Sequence, residues 1–172
     1  MNNSLVIIGA GEHARKIWHY ATTLGLSVLA FVDDNPQAIS PSPSIPCLSV
    51  QNLNSFESGQ HYVVAIGNAV ARRRLQEEFE SKGWLPLRLI HPTAYVAPDA
   101  IIGNGCVICA QAVVETGSVI GVGTIVDVGS IVDHDCVVGA YCHLKAGSLL
   151  QSHTSVGDGQ LLSVCNWIDR QE

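Results

Sequence analysis

Buried-strand patterns alternate with amphipathic-helix patterns over the first ninety residues. Continuous runs of Val, Ile, Leu and Phe predict strands, and apolar residues spaced three or four apart predict helices. The predicted strands are 4–9, 27–34 and 61–67, the predicted helices are 12–25 and 68–83, and 85–92 closes this half. Asn68 is placed to cap the second helix. Strands that alternate with helices indicate a small Rossmann-like parallel sheet, which we assign to a domain at 1–90.

The pattern changes to a period of six from Ala94 onward. Thirteen consecutive hexads have Val, Ile or Leu at the third position, and eleven of them have Ala, Cys, Ser or Thr at the first. Neither an amphipathic helix nor a β-meander produces this rhythm over so many residues, whereas a hexapeptide solenoid does. We therefore predict that 91–172 form a parallel β-helix in which three hexads make one triangular coil.

Each position of the hexad has a predicted place in such a coil. The third side chain fills the interior, and the small first side chain points inward at a corner. The sixth residue lies in a turn where a positive φ favours glycine, which stands at Gly105, Gly117, Gly123, Gly129, Gly147 and Gly159. The second residue is expected to face outward, yet it is apolar in most hexads. An apolar outer face predicts a closed oligomer, although scattered surface valines are the alternative reading.

The net charge and the lengths of the apolar runs argue against several classes of protein. The formal net charge of −6 argues against a nucleic-acid-binding surface. No apolar stretch approaches the roughly 20 residues that a membrane span needs. The first apolar run has no basic residue before it and Glu12 soon after it, which favours a strand over a signal peptide. These features predict a cytoplasmic protein without nucleic-acid or membrane partners.

The spacing of the six cysteines does not predict a metal site. Cys106 and Cys109 have CxxC spacing, but a second ligand pair is missing and both fall in a predicted extended segment. Cytoplasmic placement argues against disulfides. We interpret the pair as small core residues in preference to zinc ligands, and we predict no metal.

A glycine-rich turn follows the first predicted strand. Gly9 and Gly11 begin a GxGxxG/A pattern, and Asp33 and Asp34 follow about twenty residues later. Such a turn aims backbone N–H groups and a helix N-terminus at an anion. The domain has only about 90 residues and lacks the second unit of a dinucleotide-binding fold, so a nucleotide-linked sugar fits better. The alternative is a turn that merely connects strand to helix.

The solenoid departs from its own pattern between 130 and 153. Asp135, Tyr141 and His153 stand at sixth positions that glycine occupies elsewhere, and His134 precedes Asp135 at a turn. An imidazole beside a carboxylate can act as a general base, because the acid fixes the tautomer and raises the basicity. His143, nine residues further on, offers a second hydrogen-bonding group. The competing interpretation is simple drift of the repeat.

Five segments occur in a family-like order between residues 4 and 159: GAGEHA, FVDD, AIGNAVARRRL, LIHPTA and VDHDCVVGAYCHLKAG. The hexapeptide run resembles the left-handed β-helix acyltransferases. The whole arrangement resembles the bacterial sugar acetyltransferases of the NeuD/PglD type, which include sialic-acid O-acetyltransferases and N-acetyltransferases of UDP-amino sugars and perosamine. The resemblance implies acetyl-CoA as donor, a sugar or nucleotide-sugar acceptor, a homotrimer with active sites between subunits, and a role in surface-glycan biosynthesis.

The resemblance also implies roles for individual residues. His134 would be the general base, Asp135 would hold it, and His143 would contact the acetyl or thioester end of the donor. The implied substrate-binding residues are Gly11, Glu12 and His13 near phosphate or sugar, Asp33 and Asp34 at the base or ribose, and Gly67, where the backbone approaches closely.

The end of the chain departs from the family pattern. In the segment QLLSVCNWIDRQE the first positions of the hexads are Gln160 and Asn166, in place of a small residue. We therefore expect a β-helix shortened at its C-terminus. Val164 falls where relatives have an apolar contact to CoA. Three functions remain open: N-acetylation of a nucleotide-linked amino sugar, O-acetylation of a sialic-acid-type sugar, and a non-catalytic trimer that binds a sugar nucleotide or a partner.

Overall fold

A computed structural model describes residues 3–56 and 58–168, without the side chains of residues 54 and 55. Residues 1–2, 57 and 169–172 of the two predicted domains therefore lie outside the described part. The chain divides into two compact units, Met1–Leu87 and Arg88–Glu172. No helix among the described residues has the length and apolar composition needed to cross a membrane.

The first unit is a parallel five-stranded sheet in the order β3-β2-β1-β4-β5. Its strands are β1 (Ser4–Ile8), β2 (Ser27–Val32), β3 (Cys47–Leu48), β4 (His61–Val64) and β5 (Leu85–Pro86). Its helices are α1 (Glu12–Thr23), α2 (Ala69–Ser81) and a 3₁₀ helix at Val50–Ser55. Helix α1 packs on β1 and β2, and α2 packs on β4 and β5. The central strand β1 pairs with a strand on each side, and its four apolar residues 5–8 are all buried, so both of its faces are covered.

The ends of helix α2 follow from its sequence. The Asn68 side chain accepts a hydrogen bond from the backbone N–H of Ala71 at 2.9 Å, which confirms the predicted cap. Gly83 adopts a φ of +77° just beyond the last turn. Strand β3 and the 3₁₀ helix were not predicted, because elements of two to six residues carry no detectable period.

The second unit is a left-handed parallel β-helix built from two-residue strands. Sheet I comprises β7 (Tyr95–Val96), β10 (Val113–Val114), β13 (Ile131–Val132), β16 (Leu149–Leu150) and β19 (Trp167–Ile168). Sheet II comprises β8 (Ile101–Ile102), β11 (Val119–Ile120), β14 (Val137–Val138) and β17 (Ser155–Val156). Sheet III comprises β6 (Leu89–Ile90), β9 (Val107–Ile108), β12 (Ile125–Val126), β15 (His143–Leu144) and β18 (Leu161–Leu162). Consecutive coils pair in register eighteen residues apart, as Ile125 does with His143.

Third-position side chains form the interior of the β-helix, as the hexad pattern predicts. Val114, Val126, Val132 and Leu144 are completely buried in one continuous core cluster. Each coil buries three such side chains, and the next coil covers them. The interior is therefore a column of aliphatic residues that depends on stacking.

First-position side chains connect neighbouring coils by hydrogen bonds. The Ser118 hydroxyl donates to the carbonyl oxygen of Asp133 at 2.7 Å and accepts from the N–H of Cys136 at 3.1 Å. The Thr124 hydroxyl donates to the carbonyl oxygen of Gly139 at 2.8 Å. A small polar residue at this position thus satisfies backbone groups that the corner leaves unpaired.

Cysteines replace serine and threonine in this ladder without forming disulfides. The thiols of Cys106, Cys136 and Cys142 donate to backbone carbonyls of the next coil at 3.0–3.1 Å. Burial raises the pKa of the Cys136 thiol, which keeps it protonated as a donor. Cys109 is buried as well, and none of the six cysteines forms a disulfide.

Second-position side chains lie outside the interior cluster, as predicted, but not all of them are exposed to solvent. Val107 and Ile125 in sheet III are fully buried within the chain. Sheets I and II do present apolar side chains outward, among them Ile101, Ile131 and Val137. Exposed apolar side chains thus occur on several coils of sheets I and II, whereas in sheet III the exposed one among the described residues is Leu161, in β18 near the end of the β-helix.

Candidate active site

The corner between β13 and β14 carries the predicted base. His134 Nδ1 lies 2.9 Å from Asp135 Oδ2, and 44% of the His134 side chain is exposed. Asp135 is the sixth residue of its hexad and adopts a φ of +57°, the left-handed conformation that this turn requires. The backbone of Asp135 is anchored because its N–H donates to the carbonyl oxygen of Thr116 in the preceding coil at 3.0 Å. The tight turn therefore presents an imidazole and a carboxylate side by side.

Negative charge around the imidazole raises the pKa of His134 above its usual value. The hydrogen bond that His134 donates to the Asp135 carboxylate is the main cause, and the charges of Asp133, Asp135 and Glu115 add to it, against a partial loss of hydration. When Nδ1–H is donated to Asp135, Nε2 carries the free lone pair. The pair can therefore accept a proton at Nε2 and stabilise the resulting imidazolium.

The same corner repeats every eighteen residues and brings Gly117, Asp135 and His153 into a column. A Cβ atom at Gly117 would collide with the Asp135 carboxylate, so glycine there makes room for the acid. On the other side, His153 Nδ1 lies 3.9 Å from Asp135 Oδ2, and its ring meets the His134 ring edge-on, with centroids 5.1 Å apart. Sequence reasoning gave Gly117 and His153 no place in the site, although one coil length of eighteen residues, subtracted from and added to 135, leads to both.

Possible ligand atoms for a cation also converge at this corner. Within the described ranges, His134, Asp135 and His153 each offer one such atom, and these atoms lie within 4.8 Å of one another. Two imidazoles and a carboxylate suit a transition-metal ion in principle. Acid–base chemistry at this corner needs only the imidazole and the carboxylate, and no metal ion is assigned to it.

The structure does not place His143 beside His134 within one chain. His143 begins β15 in sheet III, is buried, and has Nε2 3.3 Å from Asp127 Oδ2. Asp127, which the sequence reasoning missed, thus orients this second imidazole. Val164 lies on the turn between β18 and β19, and it is exposed.

In the first unit, the glycine turn is partly structural. Gly9 has a φ of +112°, and a Cβ there would lie 3.1 Å from the carbonyl oxygen of Ala65. The next N–H, that of Ala10, donates to Asp33 Oδ2 at 3.0 Å. Gly11 then caps α1 with its extended backbone. Part of the glycine pattern therefore serves the junction between strand and helix.

A cavity of about 470 Å³ opens at this turn. Gly11 and Glu12, both predicted to bind substrate, line it, and His13 follows in the first turn of α1. Further lining residues that the sequence reasoning did not single out are Arg15, Gln37, Ile39 and Ser40. The cavity combines a helix N-terminus, a guanidinium group and polar side chains, which suits a phosphorylated ligand.

The remaining predicted substrate residues make internal hydrogen bonds. Asp33 Oδ1 accepts from the N–H of Asn35 at 3.0 Å, and Asp34 Oδ1 accepts from the N–H of Val50 at 2.9 Å. The carbonyl oxygen of Gly67 accepts from an Arg72 guanidinium nitrogen at 2.9 Å. These bonds fix the loops at the carboxyl ends of β2 and β4.

Comparison with known proteins places this geometry in a family. The model of the PglD N-terminal domain matches residues 4–79. The acetyltransferase domain of PglB from Neisseria gonorrhoeae FA1090 is 34% identical, with 98% of this chain and 92% of that chain covered and a TM-score of 0.85. The same domain in complex with acetyl coenzyme A matches at 33% identity, 97% and 93% coverage, and a TM-score of 0.82.

A second relative is PerB from Caulobacter crescentus, whose structure contains CoA and GDP-perosamine. It is 25% identical, with 97% of this chain and 89% of that chain covered and a TM-score of 0.83. The comparison with curated proteins finds no match. With the two units, the hexapeptide coils and these likenesses taken together, the chain belongs to the hexapeptide-repeat sugar acetyltransferases of the NeuD/PglD type.

Proposed function

We propose that this protein transfers the acetyl group of acetyl-CoA to the amine of a nucleotide-linked amino sugar in bacterial surface-glycan biosynthesis. The observation that carries the proposal is the His134–Asp135 pair, joined at 2.9 Å on an exposed corner of the β-helix. A relative 33% identical binds acetyl-CoA, and another binds CoA together with GDP-perosamine. The pair supplies the base that an acyl transfer to a neutral amine requires.

The chemistry assigns a distinct task to each residue of the pair. As the amine nitrogen adds to the thioester carbonyl carbon, His134 Nε2 takes the proton that this nitrogen loses. Asp135 holds Nδ1–H and stabilises the imidazolium that forms. The C–S bond then breaks, and the departing thiolate takes the proton from His134. Neither residue is consumed, and the products are the acetamido sugar and free CoA thiol.

The acceptor is proposed to bind in the first unit. The cavity at Gly11 and Glu12 supports this because it pairs the N-terminus of α1 with the Arg15 guanidinium. Phosphate oxygens are recognised by both kinds of group. We assign the binding of the nucleotide sugar to the full predicted set, Gly11, Glu12, His13, Asp33, Asp34 and Gly67. The donor is assigned to His143 and Val164 in the second unit.

An amine acceptor is favoured over a hydroxyl acceptor by one relative. PerB at 25% identity is an N-acetyltransferase family member bound to an amino-sugar nucleotide. A sialic-acid-type hydroxyl acceptor would use the same base. Parallel assays with both acceptor classes separate the two reactions.

A homotrimer with the catalytic corner between subunits is part of the proposal. Ile131 and Val137 are exposed apolar residues on the two faces that meet at the His134 corner, three residues to either side of it. Exposed apolar side chains on both flanks support burial of this corner by a neighbouring copy. A cytoplasmic location is also part of the proposal, and in that reducing compartment the six cysteines would remain thiols.

Calorimetric titration with acetyl-CoA tests the donor assignment. We expect saturable binding with one donor per chain, followed by thiol release when an amino-sugar nucleotide is added. A His143→Ala variant should bind the donor more weakly, and the exposed Val70→Ala on α2 is its matched control. Absence of binding at millimolar acetyl-CoA would instead favour the non-catalytic trimer.

A further inference from the structure

His153 is tied to the catalytic corner by its backbone as well as by its ring. Its N–H donates to the carbonyl oxygen of His134 at 3.1 Å, one coil away. Its φ is +61°, so a residue other than glycine is held in the left-handed region at this place. The position of the His153 side chain relative to His134 is therefore set by the stacking of coils.

The two imidazoles face the same carboxylate oxygen, one within hydrogen-bond distance and the other beyond it. Asp135 Oδ2 lies 2.9 Å from His134 Nδ1 and 3.9 Å from His153 Nδ1. The planes of the two rings stand at 87° to each other. The His153 ring consequently limits the rotation of the His134 ring on one side, while both rings draw on the same negative charge.

We propose that His153 is a positioning residue for the base: it holds the His134 ring edge-on and competes with it for the Asp135 carboxylate. This rests on the proposed function, in which His134 accepts the proton. The consequence is that the His134 ring has a restricted orientation. Its basicity is raised by Asp135, Asp133 and Glu115, and His153 keeps that increase smaller than it would otherwise be.

The sign of the effect on basicity follows from the charges that face His134. Its neighbours Asp133, Asp135 and Glu115 are acidic and favour the imidazolium. We expect His153 to oppose them, because its Nδ1 faces the same Asp135 oxygen at 3.9 Å and so weakens the share of that carboxylate available to His134. Removal of the His153 ring should therefore raise the pKa of His134.

Two replacements separate positioning from a purely structural role. His153→Gly removes the ring and adopts a positive φ without strain, so the turn remains folded. His153→Asn tolerates the same φ and keeps an amide donor near Asp135, but it cannot become a cation. Both variants should form the native assembly by size-exclusion chromatography and circular dichroism.

The readout is a histidine NMR titration of the full-length protein without ligands, with the His134 signal assigned by its loss in His134→Gln. We expect the pKa of His134 to rise in His153→Gly and to rise less in His153→Asn. We also expect kcat to fall by about tenfold in His153→Gly with the acceptor KM little changed, the usual size of a lost coupling between neighbouring residues.

An unchanged or lowered pKa of His134 in both folded variants would overturn the proposal, because a structural turn residue would leave that titration untouched. The titration requires neither acetyl-CoA nor an acceptor. Failure of the positioning role therefore shows in the NMR data, whereas failure of the proposed function shows as absent acetyl transfer by the unmodified protein.

Discussion

Asp135 combines a backbone conformation that favours glycine with a side chain that glycine lacks. The left-handed region costs a residue with a Cβ about 1 kcal/mol, and Asp is among those that tolerate it best. The other sixth positions of the same corner column are Asp99, Gly117 and His153. Strain of this kind is retained where the side chain has a task. Here the task is the hydrogen bond to His134.

The pH dependence of the reaction should report the environment of His134. The base must be neutral to accept a proton, and the pKa of His134 is raised by Asp135. Activity should therefore rise with pH through a pKa above the usual value of about 6.5 for histidine. Asp135→Asn removes the main cause of the raised pKa, so the acidic limb should move to lower pH.

The same substitution should lower the plateau rate by about tenfold, because a neutral amide supports the imidazolium less well. A pH–kcat/KM profile of both proteins measures the two effects together. Asp158→Asn, on a different corner, is the control and should leave the limb where it is. A limb that moves upward in Asp135→Asn would contradict the assigned role.

At the scale of the element, the stacking of turns decides which side chains fit the corner. Gly117 and Gly129 both have a positive φ, +68° and +64°. A Cβ at Gly117 collides with the Asp135 carboxylate, whereas a Cβ at Gly129 has open space around it. The two positions thus share their backbone requirement and differ only in their neighbours.

Gly117→Ala should therefore reduce kcat more than Gly129→Ala does. Both variants suffer a similar loss of stability from the strained φ, about 1 kcal/mol. Only the first displaces the carboxylate that orients His134, and we expect at least about tenfold lower kcat there. Steady-state kinetics with denaturation curves measure both quantities. Equal kcat values for the two variants would show that Asp135 does not depend on Gly117.

The hydrogen-bond ladder at the first positions should contribute measurable stability. Ser118→Ala leaves the carbonyl oxygen of Asp133 and the N–H of Cys136 without their partner, at a cost of about 1–3 kcal/mol. Ser155→Ala, an exposed second position in β17, should change stability little. Urea denaturation followed by circular dichroism compares them. If Ser118→Ala left the free energy of unfolding unchanged, the ladder would not be stabilising.

Much of this architecture was predictable, since a period of six fixes both strand positions and inward faces. The pairing of His134 with Asp135 was predictable because the two are adjacent. The contribution of His153 follows from the coil length of eighteen, which the pattern contains but which must be applied across coils. The burial of Ile125 was not predictable, because what covers an outer face depends on tertiary packing. The internal hydrogen bonds of Asp33 depend on loop conformation and carry no sequence period.

At the scale of the whole molecule, the exposed apolar side chains of sheets I and II support the proposed assembly into a trimer. Ile101 in sheet II is 61% exposed and Val70 on α2 is 79% exposed, so both are accessible in a single chain. Their surroundings differ. Ile101 lies on an apolar sheet face, whereas Val70 lies on a helix whose residues are mostly polar. The proposed trimer would cover the first of them with a neighbouring copy of the chain.

Ile101→Lys should dissociate the trimer, because the new charge would be buried at the interface without a partner. Val70→Lys, which adds the same charge elsewhere, should leave it intact. Light scattering after size-exclusion chromatography should give three times the chain mass of 18.3 kDa for the unmodified protein and the Val70→Lys control. A single-chain mass for the unmodified protein would refute the trimer.

Acetyl transfer itself is the most direct test of the central claim. The unmodified protein and His134→Ala are incubated with acetyl-CoA and a nucleotide-linked amino sugar, and the acetylated product is quantified by mass spectrometry. We predict product formation by the unmodified protein and a loss of about 10²–10⁴ in turnover for the folded variant. Near-full activity of His134→Ala would contradict His134 as the base, and no product with any amino-sugar nucleotide or sialic-acid-type sugar would contradict the proposed function.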